Sequence, residues 1–181
     1  MKIAFVCAHF PPHFRGGTEV VALAQARALA RRGHEVSVVA GTDRPRAADD
    51  VERALVEGLS VAFLPRASAE RQDLLQQVPR LTELLVREVR GSQVIHLHHG
   101  PTLPADAVRA LSRVAPVVLA LNDFLPVCPR FFRTSPDPAI HCPPAGSFEP
   151  CVPCLAPELG KSPAREIARG LIARSQGYRA E

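Results

Sequence analysis

The sequence predicts an α/β domain of the Rossmann-like, doubly wound type, with a parallel sheet covered on both faces. Three observations predict it. Short apolar runs of strand length alternate with segments of helical period, the connections between them are short, and Gly and Pro punctuate the joints. The first run, Lys2–Cys7, is a buried strand that ends at the Pro-rich loop Phe10-Pro11-Pro12. Thr18 can cap the helix that follows, in which Val21, Leu23, Ala24, Ala28 and Leu29 recur at helical spacing until Gly33 stops it. Glu35–Ala40 is the second strand and Leu59–Leu64 the third. Between Gln72 and Arg90 the residues Leu74, Leu75, Val78, Leu81, Leu84, Leu85 and Val89 form an amphipathic stripe, and Pro79 either kinks that helix or marks its real start. Val94–Leu97 and Val117–Leu121 complete the set of five strands, with a helix from about Pro104 to Arg113 between them.

In such folds ligands bind at the carboxyl ends of the strands, so the informative segments are His9–Gly17, Gly41–Asp43, His96–Gly100 and Asn122–Arg130. The last third changes character. From Phe124 through Pro163 there are ten prolines and four cysteines with almost no periodicity, a composition incompatible with regular helix or a central strand. The chain is therefore expected to form a single domain over 1–181, with a Pro/Cys-rich loop at 124–161. A terminal helix follows at 163–177, capped by Ser162 ahead of Pro163.

Composition removes several function classes. With 46% hydrophobic and 22% charged residues among 181, the chain has the balance of a globular domain and not of a disordered or collagen-like one. No apolar run reaches the roughly 18–20 residues of a membrane span, and the short amino-terminal run leads into a charged helix and not a cleavage site. The expectation is a cytoplasmic protein, at most peripheral to a membrane. The net charge of +4 comes from 20 Arg and only 2 Lys, scattered and interleaved with Asp and Glu. Nothing in them has the aromatic interleaving that nucleic-acid binding uses, and no nucleic-acid partner is expected.

The loop after the first strand carries Arg15-Gly16-Gly17-Thr18. Gly-x-Gly-x-x-Gly is absent and no acidic residue closes the second strand in the expected way, which argues against a nicotinamide or flavin dehydrogenase. Two glycines opening a helix still let backbone approach a ligand and offer N–H groups at the positive end of the helix dipole; a plain tight turn is the alternative. His96, His98 and His99 lie at the end of the fourth strand, where alternation puts His96 and His98 on one face and Leu97 with His99 on the other. They could form a metal site, an acid/base pair or simply a polar strand end. His9 and His13 flank the glycine loop, and Glu19 in the first helical turn suits the dipole.

Together the segments Phe10-Pro11-Pro12, Gly16-Gly17-Thr18-Glu19, Arg32-Gly33-His34-Glu35-Val36, Val94-Ile95-His96-Leu97-His98-His99, Val117–Phe124 and Cys128-Pro129-Arg130 resemble glycosyltransferase family 4, whose members have the GT-B fold. The resemblance implies transfer of a sugar from a nucleotide-sugar donor to a glycan, lipid-linked or small-molecule acceptor, with retention at the anomeric carbon and no catalytic metal. It implies that the chain is the amino-terminal, acceptor-side domain, with Gly16 and Gly17 facing the donor phosphates. His13, Glu19, His98 and His99 would line the acceptor side, and Asn122 and Asp123 would stand at the reacting centre. Where the family has a histidine before Asp123, this chain has Asn122, which can hydrogen-bond a sugar hydroxyl but cannot titrate. The donor nucleotide in that family is held by a second, carboxy-terminal domain, and nothing after Tyr178 could supply it. The chain is thus expected to be one half of an enzyme, inactive alone. The rival class is a non-catalytic sugar- or nucleotide-binding or scaffold module.

Cys128, Cys142, Cys151 and Cys154 have the spacing C-x13-C-x8-C-x2-C. A close pair plus two further cysteines in one irregular segment matches a tetrahedral thiolate zinc site, with His141 able to replace one sulfur; reduced thiols, disulfides and an iron–sulfur cluster are the alternatives. Four thiolates leave no open position, so such a zinc is structural and would order a loop lacking its own periodicity. The resemblance points the same way, since part of the family carries a cysteine-bearing insertion. Protein purified without added metal is expected to carry about one zinc per chain; four titratable thiols without stoichiometric zinc or iron would rule the site out. Cys7 ends the first strand and reads as a small buried apolar residue.

Overall fold

The computed structural model describes residues 1–44, 47, 50–65, 79–98 and 106–122. The chain divides into Met1–Asn122 and Asp123–Glu181, and every described residue falls in the first unit. The expected Pro/Cys-rich loop and terminal helix lie outside the described residues. So do His99, Asp123, Cys128, Cys142, Cys151 and Cys154.

In chain order the elements are β1 (Lys2–Cys7), α1 (Gly17–Arg31), β2 (Glu35–Thr42), β3 (Glu52–Val56), β4 (Leu59–Pro65), α2 (Pro79–Glu88), β5 (Val94–His98), α3 (Ala107–Ser112) and β6 (Val117–Ala120). The strands form one sheet in the order β3-β4-β2-β1-β5-β6. All neighbours run parallel except β3 with β4. This is the doubly wound arrangement that the sequence predicts, with β1 at its centre.

Strand alternation sorts the core into two layers. Ala4, Val6, Val39, Leu64, Ile95 and Leu97 face α2 and α3, where Leu81, Leu84, Leu85 and Leu111 complete one buried cluster. Ile3, Phe5, Cys7, Val38, Ala40, Val61 and Phe63 face α1 and pack with Phe10, Ala22, Leu23 and Ala26. Thr82 Oγ1 donates to Asp106 Oδ1 at 2.9 Å and ties α2 to the start of α3. Among the described residues no helix is long and apolar enough to cross a membrane.

The helix ends are chemically legible. Gly33 at φ +83° closes α1 as the sequence predicts, with Gly33 N–H donating to Ala30 O and His34 N–H to Leu29 O, the two bonds of a Schellman motif. Helix α2 is described from Pro79, and the residues before it lie outside the described ones. The cap of α1 differs from expectation. Gly16, not Thr18, is the N-cap, because the Glu19 carboxylate turns back and accepts the Gly16 N–H at 3.0 Å, leaving Thr18 inside the first turn.

One strand is absent from the sequence reading. β3 is a short edge strand joined to β4 by a two-residue turn with positive φ at both Glu57 (+49°) and Gly58 (+84°), the geometry favoured by tight hairpins. Glu57 is strained there, and its carboxylate meets both Arg27 and Arg15. Arg53 of β3 also reaches Glu88 of α2 at 2.8 Å.

Candidate functional site

The carboxyl ends of the parallel strands bring together the loop after β1, Thr42 at the end of β2 with Asp43 next to it, His98 at the end of β5 and Asn122 beyond β6. Phe10 is fully buried and anchors the loop, and the Pro11–Pro12 peptide bond is cis. His13 is a clamp on that loop. Its ring stacks on Phe63 with centroids 3.9 Å apart, Nδ1 lies 2.9 Å from Thr42 Oγ1, and Nε2 lies 3.4 Å from Glu52 Oε1. Thr42 Oγ1 already accepts the Arg44 N–H at 3.2 Å, so its hydroxyl hydrogen is available to His13 Nδ1. Although Thr, His and Glu in a chain suggest a nucleophile relay, Thr42 is fully buried and the three serve as a fastening. His9 Nε2 sits 3.2 Å from Asp43 Oδ2 and makes a second fastening between the same loop and β2.

Asp43 also corrects the reading of the second strand. β2 runs to Thr42, two residues past the predicted end, so an acidic residue does follow it directly. That carboxylate faces His9.

At the start of α1 the two glycines have different reasons to be glycine. A Cβ on Gly16 would stand 2.7 Å from Glu19 Oε2 and 3.0 Å from Phe14 Cε1. Gly16 is therefore required by the loop itself. Alanine there would displace the buried Glu19 carboxylate from the Gly16 N–H, and a loss of about 1–2 kcal/mol of stability is expected in urea unfolding. An unchanged midpoint would show that Glu19 relaxes freely. A Cβ on Gly17 would meet nothing within 4 Å. No contact among the described residues asks for glycine at Gly17, and the side-chain hydrogen bond at the cap of α1 engages the Gly16 N–H and not that of Gly17. The N–H groups of Gly17, Thr18 and Glu19 are those an α-helix leaves without an internal acceptor, and they carry its positive dipole end.

The second half of the site is on the other side of β1. His98 is fully buried, pairs in register with Cys7, and lies with its ring 5.7 Å from Phe5 and 4.8 Å from His96. Its Nδ1 is 3.3 Å from Asn122 Nδ2, whereas its Nε2 is buried with no hydrogen-bond partner among the described residues. Burial, helped by the neighbouring His96, pushes the His98 pKa down from 6.5 to about 4, so the ring is neutral at physiological pH. Burial lowers His96 as well. Cys7 links the two halves: burial, and secondarily the Glu19 carboxylate, pushes its thiol well above the usual range, which suits the packing role expected of it.

Glycosyltransferase Family 4 is the family whose model matches this sequence, over residues 15–140. The chain belongs to glycosyltransferase family 4. The match covers both the glycine loop and the β5–β6 region, in agreement with the resemblance carried by the sequence motifs. No curated protein matches the chain. Solved structures similar to this family 4 chain include the catalytic domain of starch synthase IV from Arabidopsis thaliana bound to ADP and acarbose. Its TM-score is 0.46 at 19% identity, covering 68% of this chain and 34% of that one. Another is an alpha-glucosyltransferase in complex with UDP and a 13-mer DNA containing a central A:G mismatch, with TM-score 0.43 and 18% identity, covering 73% of this chain and 33% of that one. The family 4 chain spans about a third of the length of each.

Of the site residues expected from sequence, the structure groups Gly16, Gly17 and Glu19 at the head of α1 and joins His98 to Asn122. His13 and Glu19 are engaged with the protein itself through Thr42, Glu52 and the Gly16 N–H. Thr42, Asp43 and Glu52 were not singled out by sequence reasoning as partners. Asp43 was signalled by its place after β2, and Glu52 had no signal once β3 went unrecognised. Among the described residues no group of three or more His, Cys, Asp or Glu is placed to hold a metal ion.

Proposed function

We propose that this family 4 chain forms the acceptor-side half of a retaining glycosyltransferase, which moves a sugar from a nucleotide-sugar donor to a glycan, lipid-linked or small-molecule acceptor. The observation that carries the reading is Gly17, a glycine with open space around it in the first turn of a helix, beyond the Gly16 cap. Such a place accepts a phosphate against backbone. As the sugar–phosphate bond breaks, negative charge grows on the departing diphosphate, and fixed N–H groups stabilise it without reorganising. Thr42, His13, Glu52, His9 and Asp43 hold the loop in place for that task. His98, in contact with Asn122, offers a polar group to the sugar substrate, and His99 and Asp123 adjoin the pair in sequence. A structural zinc on Cys128, Cys142, Cys151 and Cys154, as in the cysteine-bearing part of the family, and a facing donor-binding domain complete the proposal.

The test is an assay of the 181-residue chain with UDP- and ADP-sugars, alone and with a family 4 donor-binding domain supplied in trans. No turnover is expected for the chain alone, with donor binding, transfer and a retained anomer in the reconstituted pair. Turnover by the chain alone would overturn the half-site assignment. Binding that never leads to transfer would favour a sugar- or nucleotide-binding module.

A further inference from the structure

The contact between His98 and Asn122 fixes where hydrogens can be. The amide nitrogen of Asn122 carries hydrogens and does not accept, so at 3.3 Å from His98 Nδ1 it is the donor. Nδ1 must then present its lone pair, and a neutral imidazole keeps its one hydrogen on Nε2. Nε2 is buried and has no hydrogen-bond partner among the described residues. The ring is held on its apolar side by Phe5, stacked at 24°, and His96 is tilted against it at 55°. An orphaned buried N–H is rare in native proteins and asks for an acceptor that arrives from outside. It stands at the last residue of β5, on the sheet edge where the Gly17 N–H groups also lie.

We infer that Asn122 is a positioning residue that locks His98 in the Nε2–H tautomer, so that the ring donates to an oxygen of the bound ligand. Asn122 thereby acts through His98 and not on the reacting atoms. The class of ligand, an oxygen-rich sugar or its diphosphate, rests on the sugar-transfer reading; the tautomer does not. A donor at this point selects for an oxygen acceptor and rejects a second N–H.

Long-range nitrogen–proton NMR of the histidine rings in the 181-residue chain at neutral pH reads this directly. His98 is identified by the loss of its signals in His98→Gln. The expected pattern is a protonated Nε2 and an unprotonated Nδ1. Asn122→Asp, whose carboxylate only accepts, should move a proton onto Nδ1. A wild-type ring with its hydrogen on Nδ1, or a pattern unchanged by Asn122→Asp, overturns the lock.

Titration with UDP and with UDP-glucose tests the donor. A shift of the Nε2–H signal with both probes assigns the oxygen to phosphate, and a shift with UDP-glucose alone assigns it to the sugar. His98→Gln, which keeps an N–H near the Nε2 position, should bind within about threefold of wild type, whereas His98→Phe should lose about tenfold, one hydrogen bond's worth. Equal affinities of the two variants, or ligand binding that leaves the His98 signals unmoved, overturn the donor role while leaving the sugar-transfer reading intact. Failure of the wild-type chain to bind either probe even with a family 4 donor-binding domain supplied in trans, with the tautomer as expected, overturns the sugar-transfer reading and the ligand assignment with it.

Discussion

Replacing Gly17 by alanine should make the protein more stable and a poorer ligand binder at the same time. The stability gain follows from the backbone. Gly17 is the first residue of α1, its φ is not positive, and an added Cβ meets nothing within 4 Å. Alanine at such a site restricts the unfolded chain without straining the folded one, a gain of about 0.4–1 kcal/mol. For a domain of this size that raises the melting temperature by about 1–4 °C. The binding loss follows from the same open space. If a phosphate rests against the Gly17 and Thr18 N–H groups, a methyl group occupies part of its path, and the affinity for UDP-glucose should fall at least about tenfold. Thermal melts and calorimetric titration of one sample give both numbers. Undiminished affinity in a stabilised Gly17→Ala protein would reduce the glycine pair to a turn. Gly16→Ala is the informative contrast, since there both stability and binding are expected to drop.

Acid should destabilise the protein through His98. The folded-state pKa of about 4 lies below the ordinary 6.5, so between these values the unfolded chain binds a proton that the native ring refuses. The stability associated with the neutral ring is fully present above about pH 6.5 and declines as the pH falls toward 4. At about 1.4 kcal/mol per pH unit the gap amounts to about 3 kcal/mol, with His96 shifted in the same direction. Urea unfolding at pH 7 and pH 4.5 should show a steeper loss for wild type than for His98→Gln, which has nothing to titrate. Parallel losses in the two proteins would place the acid sensitivity elsewhere. Carboxylates titrate in both, so the difference isolates the ring.

How far each feature could be read from sequence follows from how local its cause is. The five parallel strands are legible as short apolar runs, most plainly Ile3–Cys7, since a strand buried on both faces is apolar along its whole length. Gly33 announced the end of α1 because the left-handed residue after a helix is a local demand. β3 was not visible. Its edge position leaves Leu55 exposed, its pattern is a half-buried Glu-Arg-Ala-Leu-Val, and its turn uses Glu57 where Asn or Asp would have signalled a hairpin. Only pairing with β4 makes it a strand. The site divides in the same way. Gly16, Gly17, His98 and Asn122 stood out as residue types at strand ends. That Gly16 serves the loop and Gly17 does not, and that Asn122 addresses His98 Nδ1, depends on contacts between residues far apart in the chain.

The central place of β1 has a consequence for how the protein is made. Ile3 pairs with Val36 on one side and with Val94 on the other. During synthesis the first partner arrives early, and β3-β4-β2-β1 can assemble once residue 65 has emerged. Until β5 follows, one edge of β1 stays unpaired, with hydrophobic neighbours beside it. Such an edge is what chaperones recognise and what neighbouring nascent chains can capture. The vulnerable interval of this protein is therefore the time a ribosome needs to travel from β4 to β5, and slowing translation there should lower the yield of soluble chain more than slowing it after Ala120.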